Sequence, residues 1–210
     1  MRVITPLIFF AHAIIILVIF WSGYSVYIRQ DFSVFDENNI LENLQALILL
    51  AVIAVYIMPI FQGHRTDKLL CLFFVWLAVV FFLREVDVDR LNVHAFLHQW
   101  GAGSGRNLLL GLGLACMVVL ALMKLRFYFT LAKSFVSNAA GIMAMKAGAL
   151  LLVGDLCEKL TFTHNVFYEE IFELIAYGVL LRAGSLLVQN EVSGISADSA
   201  DNIGNSGFDR

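Results

Sequence analysis

The sequence predicts an all-α, polytopic integral membrane bundle of about six transmembrane helices. Of its 210 residues, 60% are hydrophobic and only 15% are charged, whereas a soluble domain is about 45–50% apolar and about 25% charged. The excess apolar surface needs lipid to cover it. A net charge of −3 provides no basic surface for nucleic acid, so nucleic-acid partners are excluded.

Six apolar segments have the length of about 20 residues that a helix needs to cross a bilayer. They cover residues 7–28, 40–61, 68–86, 106–124, 134–156 and 166–188. The first is longer than the apolar core of a usual signal peptide, so we interpret it as a retained span. Residues 1–189 therefore form one transmembrane domain. The tail, 190–210, is small, polar and acidic, and we predict that it is disordered.

The orientation follows from the lysines and arginines, which favour the cytoplasmic side. With the N-terminus inside, the inner side has more of them than the outer side. The inner set is Arg2, Arg65, Lys68, Lys124, Arg126, Lys133 and Arg182, and the outer set is Arg29, Arg84, Arg90, Arg106 and Lys159. We therefore expect both termini in the cytoplasm of a cell with a bacterial-type inner membrane or another plasma membrane.

Acidic residues are distributed far less evenly than basic ones. On this topology the outer half contains twelve of the seventeen: Asp31, Asp36, Glu37, Glu42, Glu85, Asp87, Asp89, Asp155, Glu158, Glu169, Glu170 and Glu173. They belong to the start of the second helix, the end of the third, the end of the fifth and the start of the sixth. The sequence therefore predicts an acidic site near the outer face.

Depth within the membrane distinguishes structurally or functionally important charges from solvated ones. A charge at the centre of a bilayer costs about 2.5–3.5 kcal/mol and needs a partner. Glu173 lies about eight residues inside its predicted span, roughly 12 Å at the rise of a helix. Lys146 lies roughly 15 Å deep by the same measure. Since their helices share a short connection, we expect Lys146 and Glu173 to pair. Arg84 is expected to pair with an acid from another helix.

Several side chains are candidates for acid–base chemistry or ligand binding. Helical spacing places Glu42 beside Gln45, and Glu170 beside Glu173. The candidate catalytic residues are Glu42, Glu85, Asp155, Glu170 and Glu173, and the candidate substrate-binding residues are Arg84, Lys146, Gln45 and Tyr177. Structural alternatives are an ion pair that sets helix register, a favourable helix-dipole contact for Glu42, and a simple pair of Asp155 with Lys159.

A metal site is a further hypothesis. His94 and His98 are four residues apart in HAFLH, so on a helix they would share a face, a spacing that metal pairs use. Together with Asp87 they are the candidate ligands, and a divalent metal ion is the candidate cofactor. The competing interpretation is a short helix at the headgroup level, since Trp100 follows.

Three functions fit these observations. The first is a membrane enzyme, with or without dependence on a metal, that acts on a lipid or lipid-linked substrate. Its acidic and histidine-containing site would bind a cation or a polar headgroup. The second is a non-catalytic subunit or assembly factor of a membrane complex, with membrane lipids and other membrane subunits as partners. The third is a proton- or cation-coupled transporter, which the lack of an internal repeat disfavours.

Overall fold

The computed structural model describes residues 4–35, 40–62, 68–86 and 103–205, and these are helical apart from short connections. A π-helical turn, Ser25–Arg29, extends the first helix, and a 3-10 turn, Phe32–Phe35, precedes the second. The α-helices are α1 (Ile4–Tyr24), α2 (Ile40–Gln62), α3 (Lys68–Glu85), α4 (Gly103–Met123), α5 (Leu125–Ser137), α6 (Ala139–Lys159) and α7 (Asn165–Asn205).

Four of the described helical segments are long and apolar enough to cross a membrane, namely Ile8–Arg29, Ile40–Phe61, Ala139–Lys159 and Asn165–Gln189. A fifth candidate is the bent pair Leu110–Met123 and Leu125–Ser137. The third predicted span, α3, has Lys68, Arg84 and Glu85 within its 18 residues and is not among them. The all-helical membrane bundle is therefore supported, and the count of about six spans is not confirmed.

The predicted span 134–156 is wrong at its beginning. The candidate span here starts at Ala139, because the Asn138 side chain accepts a hydrogen bond from the Gly141 N–H at 2.8 Å and caps the helix. Asparagine is among the preferred residues at this position. Residues 125–137, which the sequence suggested were a polar break followed by the start of the span, form the separate helix α5.

Helix α7 lies at the centre of the bundle. Of its spanning window 67% is buried, against 22% for the windows of α1 and α6. Two glycines allow neighbours to approach it closely. A Cβ on Gly178 would lie 2.6 Å from Cδ1 of Ile15 on α1, and one on Gly184 would lie 2.7 Å from Cε2 of Tyr56 on α2. Since small residues let helix backbones approach in membranes, these contacts bring α1 and α2 onto α7.

Helices α2 and α3 form the other closely packed pair. The ring of Tyr56 on α2 stacks on that of Phe74 on α3, with centroids 4.8 Å apart. Both rings are buried. The end of α3 reaches α7, where the rings of Phe81 and Tyr177 are 5.6 Å apart. Helices α1, α2, α3, α6 and α7 thus form one packed group, which we call the core bundle.

Helices α4 and α5 lie at the edge of this core bundle. Helix α4 contacts α3 where Gly113 meets Trp76 and where Met117 is buried, and most of its other described side chains are exposed. Helix α5 turns away from the α4 direction by 106°. An apolar cavity of about 250 Å³ separates α3, α4 and α5.

The last helix extends beyond the predicted span. Helix α7 continues to Asn205, so it overlaps the segment 190–210 for which the composition predicts a disordered tail. The disorder of that segment stays a prediction.

Candidate functional site

A hydrogen-bonded group of charged residues joins the end of α3 to α7. Arg84 donates to Oε1 of Glu85 from Nε at 3.3 Å and from Nη2 at 3.1 Å. The same Nη2 donates to Oε2 of Glu173. The hydroxyl of Tyr177 donates to Oε1 of Glu85 at 2.8 Å. One guanidinium and one phenol thus connect two carboxylates from different helices.

The helical periodicity explains why these side chains meet. Glu173 and Tyr177 are four residues apart on α7 and share its face towards α3. Arg84 and Glu85 end α3, so their side chains reach the same level. The carboxylates are buried, with Glu85 5% and Glu173 3% exposed, while the Arg84 side chain is 46% exposed. Arg84 therefore lies at the boundary between the buried site and its surroundings.

A second contact adds α2 to the same end of the bundle. Gln45 is fully buried, and its Nε2 donates to the backbone oxygen of Glu170 at 2.9 Å and to Oε2 of Glu170 at 2.8 Å. Its Oε1 is also buried, and no donor among the described residues reaches it. Glu42, one helical turn earlier, lies within electrostatic range of Glu170.

Helix α6 completes this end through a glycine. A Cβ on Gly154 would lie 3.4 Å from Cγ of Glu173 and 3.5 Å from the backbone oxygen of Glu169. These are ordinary van der Waals distances, so α6 packs directly against Glu173 at this glycine and closes one side of the site. Four helix ends therefore meet here, the starts of α2 and α7 and the ends of α3 and α6. The distribution of acidic residues predicted these four ends, but α6 contributes a glycine to the site and not an acid.

The charges at this site do not balance. Glu85 and Glu173 are buried and Glu170 is half-buried; we call these three the carboxylate cluster. Glu170 is within electrostatic range of both others. Arg84 is the cation that contacts the cluster among the described residues. The half-buried Glu169 adds a further acid within range of Glu173.

Two predicted site residues lie elsewhere. Asp155 is exposed and pairs with Lys159 at 2.6 Å, four residues along α6, which is the simple pair that the spacing suggested. The predicted Lys146–Glu173 pair is wrong, because Glu173 pairs with Arg84 and Lys146 is exposed on α6. Helix α6 turns Ala147 and Gly154 inwards instead. The proposed catalytic and substrate-binding roles stay predictions.

The candidate metal ligands Asp87, His94 and His98 lie outside the described residues. Within the parts that the structure does describe, no group of three or more His, Cys, Asp or Glu side chains is placed to hold a metal ion. The metal hypothesis therefore receives no support, and it stays a prediction from the spacing of the two histidines.

An aromatic group that the sequence analysis missed lies at the same end of the bundle. The ring of His164 stacks on Phe32 at 5.2 Å, and its edge meets Tyr27 at 5.7 Å. The Tyr27 and Tyr168 hydroxyl oxygens share a hydrogen bond of 2.6 Å. Aromatic residues in both connecting segments were the available signal, since tyrosine is enriched at membrane interfaces. Glu173 lies five residues beyond Tyr168, roughly 7.5 Å deeper.

Comparisons with known proteins provide no analogy for this arrangement. No protein-family model matches the chain, and neither a curated protein nor a solved structure is significantly similar to it.

Proposed function

We propose that this integral membrane protein binds a cationic group in the carboxylate cluster at one end of its bundle. The observation that supports the proposal is the imbalance of charge: within the part of the chain that the structure describes, Glu85, Glu170 and Glu173 face a single guanidinium, that of Arg84. The catalytic roles predicted for these acids are a narrower hypothesis, and binding does not require them.

Buried carboxylates need compensation. An ionised group away from water loses solvation worth several kcal/mol, and a partner charge or a proton restores it. Among the described residues, Arg84 compensates one of the three negative charges. Protons or a bound cation would compensate the rest, so the cluster has the electrostatics of an acceptor for positive charge.

The oxygen atoms of the site also suit such a ligand. Gln45 donates both of its described hydrogen bonds to Glu170, which leaves its Oε1 directed at no donor among the described residues. Amide and carboxylate oxygens are the atom types that hard cations prefer, although the described acids are not placed to chelate one metal ion together. The same oxygens accept hydrogen bonds from an ammonium group. The fitting ligands are thus a hydrated inorganic cation or the ammonium group of a lipid headgroup.

The position of the acids favours binding over conduction. Transporters of protons use chains of ionisable side chains through the membrane. Here the helical stretches 43–62, 68–84, 103–154 and 174–189 contain no aspartate or glutamate. The carboxylate cluster therefore lies at one end of the helices with no acidic path onwards.

We propose further that the cluster faces the outside of a bacterial-type inner membrane or another plasma membrane, with both termini in the cytoplasm. This orientation requires α3 to cross the membrane in addition to the candidate spans given above. The excess of lysine and arginine at the opposite end supports this orientation. The test is labelling of single cysteines, His64→Cys and His94→Cys, in a chain whose native cysteines are serine. We expect an impermeant reagent to label them from opposite sides; labelling from the same side would overturn the orientation.

Cation binding is tested by ligand-dependent stability. Purified protein in detergent is melted in parallel series of increasing CaCl₂, NaCl and choline chloride at matched ionic strength, and separately with phosphatidylethanolamine in mixed micelles. A ligand that binds only the folded state raises the melting temperature with saturable dependence. We expect one of these ligands to do so in the wild type, and Glu170→Gln to abolish the response.

The matched control is Asp155→Asn, which removes an exposed acid at the same end of the bundle. It should keep the wild-type response. The proposal fails if none of the ligands stabilises the wild type, or if Asp155→Asn loses the response as fully as Glu170→Gln does.

A further inference from the structure

Helix α5 has two distinct faces. At 100° per residue, one side contains Arg126, Thr130, Lys133, Ser134 and Ser137. The opposite side is apolar and aromatic: Leu125, Tyr128, Phe129, Leu131, Ala132, Phe135 and Val136. A helix of this kind, apolar on one face and basic and polar on the other, is typical of the membrane interface.

The contacts of α5 show which face meets the protein. The ring of Phe135 packs against that of Phe74 on α3, with centroids 5.6 Å apart. Tyr128, Leu131 and Ala132 line the cavity shared with α3 and α4. The apolar face thus lies towards the bundle, and no side chain of α5 is fully buried. No element of the described chain covers its polar face, where Arg126 and Lys133 are exposed.

The direction of α5 places it across the end of the bundle. It meets α4 at 106°, so the two helices cannot both run along the membrane normal. Helix α6 follows directly from Ala139 and ends near the carboxylate cluster at Lys159. Helix α5 therefore lies at the opposite end from the cluster, where one span ends and the next begins.

The charge of this region has one sign. Between residues 107 and 154 there is no aspartate or glutamate, although the whole chain has net charge −3. Lys124, Arg126 and Lys133 lie on or directly before α5. The hydroxyls of Thr130 and Ser137 bond back to backbone oxygens of Arg126 and Lys133. These hydroxyls are satisfied within the helix, so the uncompensated feature of its polar face is positive charge.

We propose that the polar face of α5 binds the anionic headgroups of phospholipids, with Lys124, Arg126 and Lys133 contacting their phosphates. The apolar face holds α5 against the bundle and the acyl boundary, while the basic side chains reach the headgroup level. Basic residues beside a membrane segment attract anionic lipid, by about fivefold for each one near the surface. This proposal is independent of cation binding at the other end of the molecule.

Lipid selectivity tests the proposal directly. The full-length protein is reconstituted in phosphatidylcholine bilayers with a trace of spin-labelled phosphatidylglycerol or spin-labelled phosphatidylcholine. Electron paramagnetic resonance then gives the motionally restricted fraction of each. We expect the wild type to restrict phosphatidylglycerol several-fold more than phosphatidylcholine, and the preference to fall as salt rises.

Three variants test whether the basic residues of α5 cause the lipid preference. The triple variant Lys124→Gln/Arg126→Gln/Lys133→Gln should lose most of the preference. Its charge-conserving counterpart Lys124→Arg/Arg126→Lys/Lys133→Arg should keep it, and so should Lys159→Gln at the other end of the bundle. The proposal is overturned if the wild type shows no preference, if the neutral triple variant retains it, or if Lys159→Gln abolishes it.

Discussion

The core bundle and the α4–α5 pair have similarly apolar sequences but differ in how closely their helices pack. In the core bundle, glycines bring α1 and α2 onto α7, and polar side chains bond between helices. In α4, Gly111 meets no atom within 4 Å, and most described side chains are exposed. Lipid covers an exposed apolar helix at no cost, but it cannot satisfy a buried carboxylate. The core bundle, which contains the buried charges, is also the closely packed region.

The largest expected difference concerns glycine in the two regions. Gly184→Leu should destabilise the protein by about 3 kcal/mol or more, because its new atoms would overlap the buried Tyr56 ring and the Val55 methyl group. Gly111→Leu in α4 should be neutral within about 0.5 kcal/mol. Melting temperatures of both variants in the same detergent check this. Equal effects would show that α4 packs as tightly as α7.

The ion pairs give the next largest difference. Arg84→Met leaves Glu85 and Glu173 without their guanidinium, and we expect a loss of about 2–3 kcal/mol, reduced from the cost for a fully buried pair because Arg84 is half exposed. Lys159→Met breaks an exposed pair within one helix and should change the melting temperature little. A mild effect of Arg84→Met would mean that the carboxylate cluster already holds protons or another cation.

Two buried tyrosines sharpen the comparison within the core bundle. Tyr177→Phe removes the hydroxyl that donates to Glu85 and should cost about 1–2 kcal/mol. Tyr56→Phe removes a buried hydroxyl with no hydrogen-bond partner among the described residues, so it should be neutral or stabilising. Thermal unfolding of the two variants measures the difference. A reversal of their order would contradict the hydrogen-bond assignment at Glu85.

The smallest effect is expected outside the spans, at Asp31. Hydrogen bonds from the Ser33 hydroxyl and N–H, at 2.7 and 3.1 Å, hold the pKa of this fully exposed carboxyl below its ordinary value. The hydrogen bonds stabilise the folded protein at pH values above the ordinary pKa of the carboxyl. This stabilisation is lost as the pH falls through the lowered pKa of the folded state. A ¹³C NMR titration should show the low pKa, and Ser33→Ala should raise it. An unchanged pKa in Ser33→Ala would contradict this cause.

The sequence was sufficient to predict the all-helical class of this protein and to identify the helix ends that contain the acidic residues. Runs of about 20 apolar residues need lipid whatever their partners are, and charges adjoining those runs mark ends that must meet something polar. That reasoning led to Arg84 pairing with an acid from another helix, and the structure places Glu173 there. The same reasoning named Gln45 and Glu170 as two separate candidate site residues. In the structure, the Gln45 amide donates a hydrogen bond to the Glu170 carboxylate.

Helix α5 shows where hydropathy alone was insufficient. Its residues were divided between a polar break and the start of a span, because their average hydropathy is intermediate. Only their angular arrangement, together with the Asn138 cap that starts α6, makes them a separate helix. Amphipathicity was the available signal, and a search for apolar runs does not detect it.

The composition and order of apolar segments determined by themselves that this chain is all-helical, with several helices long and apolar enough to span a membrane and with acids concentrated at one end of its helices. Only the tertiary structure decided which partner each charge takes. Glu173 pairs with Arg84 rather than Lys146, because the rotation of α6 turns Gly154 towards Glu173 and leaves Lys146 outside. Helix rotation depends on side-chain packing between neighbours, which the spacing of residues along one chain does not specify.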